Sequence, residues 1–268
     1  MNLFSLLDKM IVIARRDLLI AIRYHAGFFM LAAGAIVELL AFYYLSRAIG
    51  PGFRPEGIDY FPFVLVGTGF YTFLVMGVNA FLTSVRDAQQ AGTLEVLMTT
   101  STPPAVLLFL SAMSAVAGKA MNLLFYLGLG FMLFGVPFHP NFPGCAVIFL
   151  FSLSIAVALG ILAAALQLAM QKGSTIIWLL SSGVWLLTGT MFPAASLPRY
   201  LRMVSDLIPV THSLQGMRLA LLQGAPFSVL SRDIWLLAIF SLILLPFSML
   251  VFSYTIRRAR LQGTFSFY

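Results

Sequence analysis

Residues 145–170 read CAVIFLFSLSIAVALGILAAALQLAM, and after Gln171-Lys172-Gly173 residues 174–191 read STIIWLLSSGVWLLTGTM. Neither run holds a charged side chain. Each reaches the roughly 17–25 apolar residues that cross a bilayer as a helix. Four further runs of this kind lie outward from the pair. Residues 28–45 are closed by Gly50-Pro51-Gly52, and 60–82 end before Arg86-Asp87. Residues 119–136 are stopped by Pro137 and Pro140, and 234–256 end at Arg257-Arg258. The expectation is an all-α integral membrane protein with six transmembrane helices.

Composition agrees. The 268 residues are 60% hydrophobic and only 9% charged, with a mean hydropathy of +0.98. Soluble domains hold about 45–50% apolar and about 25% charged residues, so this chain lacks the polar side chains to cover a water-facing globule. A cytosolic enzyme, a disordered chain and a disulfide scaffold are excluded. The lone Cys145 has no intrachain partner. Lys9, Arg15, Arg16 and Arg23 are spread through the start of the chain, which argues against a cleaved signal peptide.

The net charge of +7 is an orientation signal rather than a sign of nucleic-acid binding. Residues 1–27, 83–119, 171–173 and 257–268 carry ten Lys and Arg, whereas the alternating connections carry six. Positive charge favours the cytoplasmic side, so both termini are expected there.

Segments between the spans carry their own signals. Lys9, Arg16 and Arg23 recur every seven residues, while Leu3, Leu7, Met10, Ile13 and Ile20 take another face. Residues 1–27 thus read as an amphipathic helix in the cytoplasmic interface, or as a helix docked on a partner. Residues 83–118 form a cytoplasmic segment holding Gly92-Thr93-Leu94-Glu95-Val96-Leu97 and then Pro103-Pro104. Residues 192–231, on the outer side, are rich in Pro, Arg and apolar residues without a spanning run, and read as short re-entrant helices. Residues 257–268 are a cytoplasmic tail. The whole chain reads as one membrane domain.

Catalytic motifs are missing. There is no G-x-x-x-x-G-K-[ST] to cradle nucleotide phosphates, and no zinc or serine-hydrolase signature. His25, His139 and His212 are scattered without ligand-spaced neighbours, and the nearest acid to a histidine is Asp206, beside His212. That pair reads as an interfacial polar contact rather than a catalytic one. Glu38 stands near the middle of the first span, where a carboxylate is costly and suggests a functional site; a protonated Glu38, or one bonded across a subunit interface, is the structural alternative. Ser152, Ala156, Gly160 and Ala164 recur every fourth residue, a small-residue face for close packing within the subunit. Phe42, Tyr43, Tyr44, Phe61, Phe63, Phe70, Tyr71 and Phe73 read mostly as interfacial belt residues, some of them on a route for an amphipathic substrate.

The order of these features resembles the ABC type-2, export-type transporter permeases. GTLEVLMTTSTPP at 92–104 is similar to that family's motif after span two. Gly118-Lys119 sits where the family opens its third span, and TGTMFPAASLPRYLRMVSDLIPVTHSLQGMRLALL at 188–222 is similar to its stretch from span five onward. The chain departs from the pattern at Gln89, Gln90 and Ala91, where members often carry a charge, so no specific ion pair is carried over there.

The resemblance implies the membrane subunit of an ATP-driven exporter, not itself an enzyme. Its partners would be two copies of a separate ATPase subunit, which holds ATP and Mg, a second permease copy as homodimer, and membrane lipid; this chain binds no cofactor and no metal. Residues 87–100 would form the coupling helix, with Asp87, Gly92, Thr93, Leu94, Glu95 and Leu97 meeting the ATPase. Phe28, Glu38, Tyr43, Phe70 and Tyr71 would line the substrate route, and Phe192, Pro193, Leu197, Pro198, Pro209, His212 and Arg218 an outer gate. The expected substrate is a drug-like or lipid-like amphiphile, with a lipid-linked polysaccharide as the alternative. An intramembrane lipid-modifying enzyme and a passive pore are the rivals from other classes. The expected location is a cell membrane, in a prokaryote.

Overall fold

The computed structural model describes residues 25–90, 104–170 and 182–262. Its long helices are α1 (His25–Ile49), α2 (Tyr60–Gln90), α3 (Pro104–Phe134) and α4 (Phe142–Met170). Residues 182–187 are helical. Two shorter helices, α5 (Arg199–Asp206) and α6 (Pro209–Leu222), precede the last long one, α7 (Phe227–Gln262). Single 3-10 turns stand at Pro55–Gly57 and Ala194–Ser196, and no strand occurs among the described residues. Glycine closes two of the long helices. Gly50 and Gly135 take φ of +85° and +62°, and each returns its N–H to the carbonyl four residues back, Ser46 and Phe131, at 3.1 Å. Only a residue without Cβ adopts this left-handed cap at little cost.

Among the described residues five helices are long and apolar enough to cross a membrane: Phe29–Ile49, Tyr60–Asp87, Phe109–Phe134, Phe142–Ala169 and Phe227–Arg258. Residues 174–181 of the expected fifth span, residues 1–24 of the N-terminal interface segment and residues 91–103 of the coupling segment lie outside the described residues. Of the fifth span, 182–187 are helical and 188–191 already turn out of the helix. Two boundaries differ from expectation. The third long helix begins at Pro104 rather than near 119, because Lys119 interrupts the apolar run but not the helix. Lysine has good helix propensity, and it is hydropathy, not backbone geometry, that it breaks. The last helix begins at Phe227 and continues to Gln262, through Pro246. A proline inside a membrane helix is tolerated where neighbours re-satisfy the freed carbonyl.

α2 is the centre of the bundle, packed by α1, α3, α4 and α6. Phe63, Val64, Leu65, Val66, Phe70 and Phe73 of α2 are all buried. The belt reading of the aromatics is therefore corrected for Phe61, Phe63, Phe70, Tyr71 and Phe73, which belong to the core. Phe73 stacks on Phe149 of α4 with ring centroids 5.2 Å apart, and Phe70 lies 6.1 Å from Phe73. Aromatic runs look alike on a belt and in a core; only the neighbouring helices separate the two.

The small-residue face of α4 turns inward as expected. Ser152, Ala156 and Ala164 are buried. A Cβ on Gly160 would stand 2.8 Å from the ring of Phe81, and one on Gly77 3.5 Å from Ala156. The two backbones approach closely because these side chains are absent or small. Conversely, Trp235, Leu242, Ile243 and Leu250 of α7 and Phe29, Met30 and Val37 of α1 are exposed. In water such a surface would drive aggregation; lipid is its natural solvent.

Candidate functional site: a buried polar hub and an intramembrane recess

Three of the seven residues expected at an outer gate, Pro209, His212 and Arg218, lie on α6. Arg218 is 2% exposed, an unusual state for a guanidinium. Its Nε donates to the Phe63 carbonyl at 3.0 Å and its Nη2 to the Thr190 carbonyl at 2.8 Å. The guanidinium lies 3.5 Å from the centroid of the Phe63 ring. One side chain thus ties α6 to α2 and to the loop at 190. Gly67 makes room for it: a Cβ there would overlap the guanidinium and stand 2.6 Å from the Thr190 carbonyl. Desolvation lowers the Arg218 pKa to about 9, opposed by the Glu56 carboxylate; the group is still a cation at neutral pH. Glu56 answers in kind, its carboxyl raised by desolvation, pulled back by Arg218 and pushed further by Asp233.

His212 is the second buried member. Its Nδ1 lies 3.1 Å from Asp233 Oδ1 and its Nε2 3.0 Å from the Asp206 carbonyl. Both ring nitrogens face acceptor oxygens, which suits an imidazolium donating twice. Burial pulls the imidazole pKa down, but the Asp233 and Asp206 hydrogen bonds and carboxylate charges outweigh it, and the net direction is up. The sequence pairing of His212 with the Asp206 side chain is thereby corrected. Asp206 contributes its backbone, and the carboxylate partner is Asp233 of α7. Nothing in a linear spacing of 21 residues signals that contact.

Hydroxyls complete the hub. Ser205 donates to the Leu187 carbonyl at 2.7 Å, and Thr211 to the Ser205 carbonyl at 2.9 Å. Thr188 and Thr190 share a hydrogen bond at 3.0 Å. Gly189 between them has a φ of +73°. Asn141, just before α4, holds the far end of α6: its Nδ2 donates to the Ala225 carbonyl at 2.8 Å and its N–H to the Ala220 carbonyl at 2.9 Å. Pro209 opens α6, at a position where a missing N–H costs nothing. Phe192, Pro193 and Leu197 are half-buried around the turn Ala194–Ser196, and Pro198 is exposed.

The route residues are dispersed. Glu38 lines a recess of about 210 Å³ between α1, α2 and α3, together with Thr72, Phe73, Met76, Lys119, Asn122 and Tyr126. The Tyr126 hydroxyl hydrogen-bonds the Glu38 carboxyl and lies 3.2 Å from Thr68 Oγ1. Tyr43 belongs instead to an aromatic cluster with Phe61 and Phe134, at 5.6 and 5.0 Å, and accepts a 2.8 Å hydrogen bond from Arg47. Phe70 and Tyr71 are buried in the core, and Phe28 lies in α1. Of the coupling residues, Asp87 is exposed near the end of α2, whereas Gly92, Thr93, Leu94, Glu95 and Leu97 lie outside the described residues. No cluster of three metal-ligating side chains occurs among the described residues.

Spanning helices around an ordered polar hub define a multi-pass helical membrane protein. The ABC-2 type transporter family model matches residues 8–222, and the chain belongs to that family of transport permeases. No curated protein matches the chain. The match runs through α6, and α7 lies beyond it.

Proposed function

We propose that this chain is the permease subunit of an ATP-driven exporter that moves an amphipathic, drug-like or lipid-like molecule across a cell membrane by alternating access. Two copies of a separate ATPase subunit supply the energy, and two permease copies enclose the route. The family match over residues 8–222 carries this reading, supported by the lack of any phosphate-cradling loop in the sequence.

In this reading residues 87–100 are the coupling helix. Leu94, Val96 and Leu97 supply apolar anchors for a groove on the ATPase, flanked by Asp87 and Glu95. The hub of Arg218, His212 and Asp233 keeps the outer gate rigid, so that a push from the cytoplasm moves helices as bodies rather than deforming the gate. Glu38 and the recess lie on the route.

The experiment reconstitutes the permease with its ATPase subunit in proteoliposomes. Leu97→Asp places a charge in the apolar anchor and is expected to lower stimulated ATPase activity and ATP-driven transport together, roughly tenfold or more. Unchanged stimulation and transport in Leu97→Asp would overturn the coupling assignment.

A further inference from the structure

Lys119 and Glu38 line one recess, yet they do not form an ion pair. Lys119 lies inside the apolar helix Phe109–Phe134, ten residues from its first residue and fifteen from its last. Glu38 is similarly deep in α1, and its carboxyl is engaged by Tyr126. Among the described residues no salt bridge or hydrogen bond reaches Lys119. A cation at this depth without a counter-ion is costly, and charges kept there mark ligand or ion pathways.

The rest of the recess says what the counter-ion is attached to. Beside Lys119 stands Asn122, whose amide donates two N–H bonds. The walls are apolar, with Phe73 and Phe125 inside. Met30, Leu31 and Met76 of its lining are exposed, so the recess opens at an exposed apolar surface of α1 and α2. A polar head entering this recess leaves its tail in hydrocarbon. The volume of about 210 Å³ suits a headgroup and the start of a chain rather than a whole lipid.

We propose that the recess between α1, α2 and α3 binds the anionic head of an amphiphile, with Lys119 as its counter-ion, Asn122 as a hydrogen-bond donor and the Met30–Leu31–Met76 rim as the exit for its tail. This deepens the exporter reading, on which it rests only for the claim that the bound amphiphile is cargo. Cationic and neutral amphiphiles of the same length are discriminated against, because neither neutralises Lys119.

The test uses the full chain with its ATPase in phosphatidylcholine nanodiscs. Binding of a dansyl-labelled undecanoic acid is compared with that of its methyl ester and of a trimethylammonium analogue. The acid is expected to bind saturably and roughly tenfold or more tighter than either analogue, as a charge-assisted hydrogen bond in a dry site provides. Lys119→Gln is expected to lose that preference and Lys119→Arg to keep it. Lys119 has no described protein partner to lose, so an unchanged size-exclusion profile shows that Lys119→Gln still folds. Equal binding of acid and ester, or undiminished binding of the acid by Lys119→Gln, overturns the site. ATP-driven transport is measured in parallel. Charge-selective binding without any ATP-driven transport keeps the site and removes the exporter reading; transport with no dependence on Lys119 does the reverse.

Discussion

Removing the guanidinium of Arg218 is the most informative perturbation of the hub. Arg218→Met keeps the length of the side chain and deletes its charge. Two charge-assisted hydrogen bonds, to Phe63 and Thr190, are worth about 1.5–3 kcal/mol each. The contact with the Phe63 ring at 3.5 Å adds about 2 kcal/mol when desolvated. Part of this is offset in the variant, which no longer holds a guanidinium out of solvent. The expected balance is a loss of about 3 kcal/mol, because the carbonyls of Phe63 and Thr190 are both left short of a donor, at about 1–3 kcal/mol each. Arg218→Lys retains the charge but lacks the fork that reaches two carbonyls at once, and is expected to lose about half as much.

Gly67→Ala attacks the same contact from the other side, since its Cβ overlaps the guanidinium. The assay is reversible unfolding in mixed micelles, with the four chains of a double-mutant cycle measured together. Gly67→Ala is expected to be costly in the wild-type background. In the Arg218→Met background the cost shrinks without vanishing, because the clash with the Thr190 carbonyl at 2.6 Å remains. Coupling below about 0.5 kcal/mol between the two sites, or an Arg218→Met variant as stable as wild type, would refute the role assigned to this contact.

Two further predictions concern stability. His212 has its pKa raised by the fold, so its contribution is fully present below the unfolded value of about 6.5 and is lost as pH rises through the higher folded value. Unfolding midpoints of wild type minus His212→Gln should therefore shrink from about pH 6 upward; a difference that is flat, or that grows with pH, contradicts the imidazolium assignment. Gly160→Ala is expected to cost about 1–3 kcal/mol by pressing Phe81 away from α4. Gly128→Ala, whose Cβ meets nothing within 4 Å, should be neutral or gain up to about 1 kcal/mol of helix propensity. Equal effects of the two in a thermal-shift series would show that α2 and α4 do not approach as described.

Parts of the fold were legible because lipid imposes a one-dimensional rule. A helix of spanning length must be apolar along its whole run, so α1, α2, α4 and α7 could be read from hydropathy. Lys119 misled the reading of α3 because a charge ends a hydropathy window without ending a helix. The small face of α4 was legible too, since a four-residue period in a helix is one face whatever it packs against. The candidate site was legible only in its residue types. Arg218 and His212 stood out in sequence as gate residues, and Glu38 as a carboxylate inside a span.

Partners are another matter. Hydropathy marks the chain as a helical membrane protein and places most of its long apolar helices, and the ordered motifs at 92–104 and 188–222 point to its family. That Arg218 reaches Phe63 and Thr190 beside Gly67, that His212 pairs with the Asp233 carboxylate, and that Lys119 shares a recess with Glu38 follows from the packing of the bundle alone. The physical reason is range. Hydropathy and helical period act between residues a few positions apart, whereas a buried charge is satisfied by whatever donor or acceptor the packed bundle brings beside it. In this protein most of those groups come from segments 21 to 155 residues away, the Asp206 carbonyl, six residues from His212, being the local one.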